Sequence, residues 1–272
     1  MGAGVAGVLI RHGIAVLTTL DGRSAASRAR ASEAGMTTVP LQELAGADIF
    51  LSILPPGEAL SFAERFADNL LQTVRRPLYV DCNAVSPKTL NEIENVITAT
   101  GTKFADIGII GPPPKDTVPS PRLYAAGAGA ETILLLNQYG LDVRWLNGPP
   151  GTASSLKMAY AGITKGLIAL ASTMILGATR SDVAETLARE LSASEPQMFT
   201  SLSKRIPEML PKSYRWVAEM REISSFLSAD PNGAEIYRAA ARVYEKLAIN
   251  FAGDDSEVDI LRRFFIMEND DS

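Results

Sequence analysis

Gly148-Pro149-Pro150-Gly151-Thr152-Ala153-Ser154-Ser155-Leu156-Lys157-Met158-Ala159-Tyr160-Ala161-Gly162-Ile163-Thr164-Lys165-Gly166 divides the chain in two. The Gly-Pro pairs end whatever regular element precedes them, since neither residue easily continues a strand or helix. From Thr152 a run rich in Ala, Leu, Ile and Met continues through Ile163, Leu167, Leu170 and Met174 to Gly177. That is about seven turns of helix at 3.6 residues each, with Thr152 and Ser154 as candidate N-caps. Lys157 lies roughly one turn inside. The helix dipole disfavours a cation there, and the small neighbours Ala153, Ser154 and Ala161 keep its stem near backbone. Both effects work against the charged form, as a lysine acting as general base near neutral pH requires. Tyr160 and Thr164 follow at i+3 and i+7 on the same face. The competing reading is a core-helix lysine whose charged tip reaches solvent.

Upstream of this stretch, short apolar runs alternate with helical patterns. Strands are expected over 14–20, 36–39, 48–54, 77–82, 103–107, 122–126 and 142–146. Helices are expected over 24–35, 58–71, 87–101 and 131–139. Residues 5, 8 and 9 give the first segment a helical apolar face, ended by Gly13. Alternation of this kind specifies a Rossmann-like, doubly wound, mainly parallel sheet. Downstream no strand pattern recurs; helices follow, punctuated by Pro196, Pro207, Pro211 and Pro231. Residues 1–148 therefore read as an α/β dinucleotide-binding domain and 149–272 as an all-helical one, with a polar, disordered tail at 268–272.

Composition excludes several classes. With 272 residues, 46% hydrophobic and 21% charged, the chain can bury a sizeable core. A net charge of −5 argues against a nucleic-acid or anionic-membrane surface. Cys82 is the only cysteine and His12 the only histidine, so no disulfide framework, cysteine or histidine metal site, or Ser-His-Asp triad is expected. The apolar run 166–177 is interrupted by Ser172, Thr173 and Gly177, so no membrane span is expected, and a cytoplasmic location is the default.

Five stretches, in order, resemble the β-hydroxyacid dehydrogenases, the group of 3-hydroxyisobutyrate and 6-phosphogluconate dehydrogenases. MGAGVAGVLIRHGIAV resembles the glycine-rich opening, SILPPGEA the stretch along the cofactor, and DCNAVSP the substrate segment. FADIGIIGPPP resembles the following loop, and GTASSLKMAYAG the helix that carries the family's lysine. PKSYRWVAEMREI is similar to a subgroup with a short phosphogluconate dehydrogenase-like C-terminal helical domain. The resemblance implies a Rossmann-like fold, an NADP or NAD cofactor, and Lys157 as general acid/base for hydride transfer to or from a small hydroxy acid or a related carbonyl or imine compound.

It also implies a site. Asn83, Ser86, Gly111, Tyr160 and Thr164 would meet substrate. Gly2, Asp21, Arg23, Ser24, Leu54, Pro55, Asn83 and Ala84 would meet cofactor. Asp21 would accept from the ribose 2′-OH of NAD, whereas Arg23 would pair with the 2′-phosphate of NADP; the reading leans to Arg23 and NADP. Ser86 competes for a second role as N-cap of the next helix.

The sequence also departs from the pattern. Ala161 stands where the family has an asparagine, Pro112 removes one backbone donor from the carboxylate loop, and Ala218-Glu219-Met220 lacks the lysine of the family's K-D-L segment. In this register Gly2 is the third fingerprint glycine, and the first strand and first two glycines are absent. A gap or rearranged sheet is then expected beside residues 14–20. Against the oxidoreductase stands the reading of a non-catalytic dimerising or ligand-binding scaffold. A homodimer through the helical half is expected, because the helix from Thr152 is apolar nearly all round.

Overall fold

The computed structural model describes residues 1–114 and 120–266. The chain forms two compact units, Met1–Met158 and Ala159–Ser272. The partition falls inside the long helix and not at the Gly-Pro loop near 148, because the first turns of that helix bond to the sheet of the first unit. Residues 115–119 of the proline-rich loop and the acidic tail lie outside the described residues.

In the first unit the elements run α1 (Gly2–Arg11), β1 (Leu17–Thr18), α2 (Ala25–Glu33), β2 (Thr37–Thr38), α3 (Leu41–Leu44), β3 (Ile49–Ser52), α4 (Ala59–Leu71), β4 (Leu78–Asp81), α5 (Pro87–Thr98), β5 (Phe104–Ile110), β6 (Arg122–Gly127), α6 (Ala130–Leu134) and β7 (Asp142–Trp145), followed by α7 (Thr152–Arg180). β3, β4, β5, β6 and β7 lie side by side in that order. All pairings are parallel except β5 with β6, which is antiparallel.

The alternation of side chains builds two cores. Leu78, Val80, Ala105 and Ile107 face one way and pack with Val5, Val8 and Leu9 of α1. Tyr79 and Phe104 face the other way with Phe66, Leu70, Leu90 and Ile93 of α4 and α5. There Phe50, Phe66, Tyr79 and Phe104 form a continuous stack, with successive ring centroids 4.4–6.3 Å apart.

β1 and β2 stand apart as a separate two-stranded sheet. The strand expected over 14–20 shrinks to Leu17–Thr18, and that over 36–39 to Thr37–Thr38. Among the described residues neither β1 nor β3 pairs on its facing edge, which is the gap expected from the register of Gly2. β1 and β2 pair only with each other and are two residues long each, as expected of strands with no further ladder to extend them.

The second unit holds the rest of α7 with α8 (Ala184–Ser194), α9 (Pro196–Met209), α10 (Ser213–Phe226), α11 (Pro231–Ala252) and α12 (Ser256–Arg263). Pro196 and Pro231 occupy first turns, where a missing N–H costs nothing. Pro207, expected as a break, lies inside α9. Gly162 and Gly166 admit Tyr237 of α11 so closely that an added Cβ would stand 3.0 and 3.3 Å from that ring system. Trp216 meets Tyr244 edge-on at 5.2 Å. Phe199, Ile206, Met220, Leu247 and Phe264 complete this core.

α7 has two apolar sides. Met158, Ile168 and Ile175 are buried, whereas Ile163, Leu170 and Met174 are 73%, 63% and 59% exposed. Its 29 residues, with mean hydropathy 1.5 over the most apolar window, make it long and apolar enough to cross a membrane by length and composition. This corrects the expectation that no such segment exists: Ser172 and Thr173 do not interrupt the helix, since Thr173 returns its hydroxyl to the Ala169 carbonyl.

The split sheet has a measurable consequence. In hydrogen–deuterium exchange the amides of Thr37 and Val39, which bond the carbonyls of Val16 and Thr18, should exchange well before those of Tyr79 and Cys82 in the larger sheet. Equal protection would mean that the two sheets open as one unit.

Candidate functional site

Segments past the carboxyl ends of β3 and β5 meet the amino end of α1. A Cβ added to Gly2 would lie 3.7 Å from Ile53, just past β3, and one on Gly4 would lie 3.0 Å from Pro114, past β5. α1 has no side-chain cap and no acidic residue in its first turn. A helix amino end presents backbone N–H groups and a positive dipole end, a donor set that suits a phosphate anion.

Asn83 joins the neighbouring loops. Its side-chain oxygen accepts from Leu54 N–H at 2.6 Å, while its Nδ2 donates to Asp81 Oδ2 at 2.7 Å and to Ser52 Oγ at 3.1 Å. Both amide hydrogens are thus engaged within the protein, and Asn83 is buried. The structure gives this residue, expected to contact substrate and cofactor, a bridging role between the ends of β3 and β4. Ser86, also buried, accepts from Thr89 N–H as the N-cap of α5 at 3.3 Å. The capping reading of Ser86 is the one the geometry favours. Ala84 is half-buried between them.

Asp81 and Asp106 are register partners on adjacent strands, and both are buried. Burial raises the Asp81 carboxyl to about 7; bonds from Asn83 work in the opposite direction, and the nearby charge of Asp106 adds to the rise. Burial raises Asp106 as well, against the lowering effect of bonds from Ser154. Ser154 N–H donates to Asp106 Oδ2 at 2.8 Å. Thr152, an expected N-cap, instead donates its hydroxyl to the Pro149 carbonyl. Sequence reasoning did not single out Asp106. An aspartate inside an apolar strand (FADIGII) was the available signal, because strands are depleted in aspartate.

Lys157 is half-buried and its ammonium donates to the carbonyl of Ile109 near the end of β5. Gly111, two residues on, has φ +130°, and a Cβ there would meet Pro121 at 3.1 Å, so glycine is required for both backbone and space. Lys157 and Gly111 thus lie at the same strand end, and Gly2, Leu54 and Asn83 at the loops beside it. Pro55 is exposed next to Leu54.

Farther out, Arg23 Nη1 meets Glu58 Oε2 at 2.6 Å, tying the turn after β1 to the turn after Pro55. Ser24 caps α2 through Ser27 N–H, and Asp21 is exposed. Tyr160 and Thr164 belong to the second unit. Tyr160 is exposed, and the Thr164 hydroxyl donates to the Tyr160 carbonyl. In that unit Lys165, which sequence reasoning also passed over, forms a largely buried ion pair with Glu219 and lies 4.8 Å from the Trp216 ring centroid.

The architecture recurs in known proteins. The conserved protein MTH1747, whose function is unknown and whose structure was described as similar to 3-hydroxyacid dehydrogenases, is 28% identical to this chain. The match covers 95% of each chain with a TM-score of 0.68. In fold, this chain is similar to the 3-hydroxyacid dehydrogenases. The Mycobacterium tuberculosis 3-hydroxyisobutyrate dehydrogenase, solved with L-serine, matches with a TM-score of 0.71 over 96% of both chains at 15% identity. An imine reductase from Myxococcus stipitatus in complex with NADP+ matches over 97% of this chain and 96% of its own at a TM-score of 0.53 and 17% identity. Residues 178–247, within the helical unit, match the family model described as a domain of unknown function, DUF1932.

The buried carboxylates predict a pH dependence of stability. Asp81 holds its proton in the folded state up to about pH 7, whereas in the unfolded chain it loses it near the ordinary carboxylate value of about 3.9. Between those limits the folded state binds more protons, so its contribution falls as pH rises. Thermal melts should show stability declining across this window, with a shallower decline in Asp81→Asn. An unchanged pH profile in that variant would show that Asp81 is ionised at neutral pH without penalty.

Proposed function

We propose that this protein is an NAD(P)-dependent oxidoreductase acting on a small hydroxy acid or a related carbonyl or imine compound, with Lys157 as the proton-transfer group. One observation carries the reading: the Lys157 ammonium is held by Ile109 at the carboxyl end of β5, beside loops that meet the uncapped amino end of α1. Ligands of open α/β sheets bind outside the carboxyl ends of strands. The fold shared with a hydroxyacid dehydrogenase and an NADP+-bound imine reductase supports the same reaction class.

The nicotinamide ring, when bound, supplies the hydride donor or acceptor. The residues that would hold the cofactor are the first-turn N–H groups of α1 at its phosphates, the backbone around Leu54 and Pro55 along its length, and Arg23 with Ser24 at its adenosine end. Asn83 keeps the loop at Leu54 in place by occupying that N–H. Lys157 as the neutral amine takes a proton from the substrate hydroxyl in the oxidative direction, and as the ammonium returns one to the carbonyl oxygen or imine nitrogen in the reductive direction. The Ile109 carbonyl orients the ammonium between these steps. Pro112 offers no N–H to a substrate carboxylate, and Ala161 no amide beside the lysine. These two positions favour a substrate other than that of the 3-hydroxyisobutyrate enzymes, and they also support the second reading, a ligand-binding scaffold without turnover.

Arg23 is paired with Glu58, so a 2′-phosphate must compete with that carboxylate. Arg23→Glu should weaken NADP(H) far more than NAD(H), and Glu58→Gln should tighten NADP(H), both read by fluorescence titration. Equal effects on the two cofactors would remove Arg23 from the site. For turnover, the assay is change in reduced-nicotinamide absorbance with a panel of short 3-hydroxy acids and cyclic imines. Lys157→Ala should lower kcat by about 10²–10⁴-fold while the chain stays folded by circular dichroism. A folded Lys157→Ala variant with full activity would show the lysine to be structural, and no turnover by the parent chain on any panel member would favour the scaffold.

The exposed side of α7 supports a homodimer. Tyr160, Ile163, Leu167, Leu170 and Met174 recur at spacings of three and four, and such a seam pairs with a second copy of itself across a two-fold axis. Light scattering should give twice the chain mass, and Ile163→Asp with Leu170→Asp should give the monomer. A parent chain that is monomeric at micromolar concentration, or that floats with lipid vesicles, would overturn the dimer.

A further inference from the structure

The helix that carries Lys157 is held to β5 at three consecutive points, all within the first unit. Asp106 accepts the Ser154 N–H at 2.8 Å. Gly108 has no side chain, and a Cβ there would stand 2.6 Å from the Ala153 carbonyl oxygen and 3.2 Å from Lys157 Cβ. Ile109 accepts from the Lys157 ammonium. Residues 106 and 108 share one face of the strand, so the first turn of α7 lies flat on β5, carboxylate at one end and lysine at the other.

This arrangement replaces an ordinary cap. A helix normally satisfies its leading N–H groups with a local Ser, Thr, Asp or Asn. Here Thr152 turns its hydroxyl to the Pro149 carbonyl, and the acceptor comes from a strand 48 residues earlier. Asp106 is fully buried, and its second oxygen, Oδ1, has no hydrogen-bond partner among the described residues. A carboxylate in that setting is costly unless it faces a compensating positive end, which the amino terminus of α7 supplies. The cost fixes where the helix must start, and so where Lys157, three residues beyond Ser154, must lie.

We infer that Asp106 is the positioning residue of the Lys157 site: by capping α7 from β5, across the side-chain-free surface of Gly108, it sets the axial position of the helix and places the Lys157 ammonium at the end of the strand. This rests on the reading of Lys157 as the proton-transfer group only for its catalytic consequence. The dock itself can be measured without turnover.

Two measurements test it. The first uses the unaltered chain. Ser154 N–H is in the first turn of a helix and has no intrahelical acceptor, so uncapped it would exchange quickly. Capped by buried Asp106 it should be protected at least 100-fold more than Gly4 N–H, the equivalent first-turn amide of α1, which has no side-chain cap. Rapid exchange at Ser154 would overturn the inference whatever any variant does.

The second follows Lys157 directly, by reductive methylation with ¹³C-formaldehyde and NMR, the resonance being assigned by its loss in Lys157→Arg. In Asp106→Asn the signal should shift and its titration midpoint should move, and Gly108→Ala, which keeps the carboxylate but lifts the helix, should shift the signal too. If both variants are folded and leave the Lys157 resonance and its titration unchanged, Asp106 does not position the lysine. Where turnover is found, Asp106→Asn should lower kcat with little change in KM and alter the pH profile; a change in melting temperature alone would mark Asp106 as structural. Protection at Ser154 with shifted Lys157 signals, but no turnover with either nicotinamide cofactor, would sink the dehydrogenase reading and leave the dock standing.

Discussion

Two carboxylates sealed inside the sheet constrain everything around them. Asp81 and Asp106 face each other across adjacent parallel strands, where burial opposes the ionisation of both and the charge of Asp106 adds to the rise at Asp81. Such groups persist only when donors surround them. For Asp81 the donors are the backbone and side chain of Asn83; for Asp106 the donor is the leading edge of α7. The first solution ties the loop after β4 to that after β3. The second attaches the long helix to β5. The link between the loops after β3 and β4 and the location of Lys157 follow from these two satisfactions.

The site combines rigid and open parts. Asn83, Ser86 and Asp106 have their side chains committed to backbone or neighbouring groups and serve as framework. The amino end of α1, Arg23 and Lys157 present donors at or near the surface. Residues held by such a framework keep their geometry without depending on loop order. The weak region lies elsewhere, at the short β1–β2 sheet, which the Arg23–Glu58 ion pair links to the turn beyond β3. An ion pair with half-exposed partners contributes little to stability, so this corner of the unit relies on α1 and its contacts with the core.

The two faces of α7 follow a similar division. One buries Met158, Ile168 and Ile175, with Gly162 and Gly166 closing on Tyr237. The other leaves an apolar seam open. A helix apolar on all sides is normally covered on all sides, which is why length and hydropathy alone cannot distinguish a core helix, a dimer seam and a membrane span.

Local chemistry determined much of this protein. The alternation of short apolar runs with helical patterns fixed the α/β sheet and the all-helical remainder, since periods of 2 and 3.6 residues are properties of neighbouring side chains. Lys157 stood out as a charge in an apolar helix, and Ser86 as a cap directly before Pro87. The tertiary structure decided what depends on partners distant in the chain. Asn83 reads as a ligand-binding amide until Leu54, Ser52 and Asp81 claim its hydrogen bonds. Thr152 and Ser154 read as caps until Asp106 supplies the acceptor from 48 residues away. Arg23 reads as a free cation until Glu58 arrives 35 residues later. A residue's type and spacing declare what it can bond to; only the fold brings one acceptor or donor close enough to be chosen, because hydrogen bonds and ion pairs act over a few ångströms and not along the sequence.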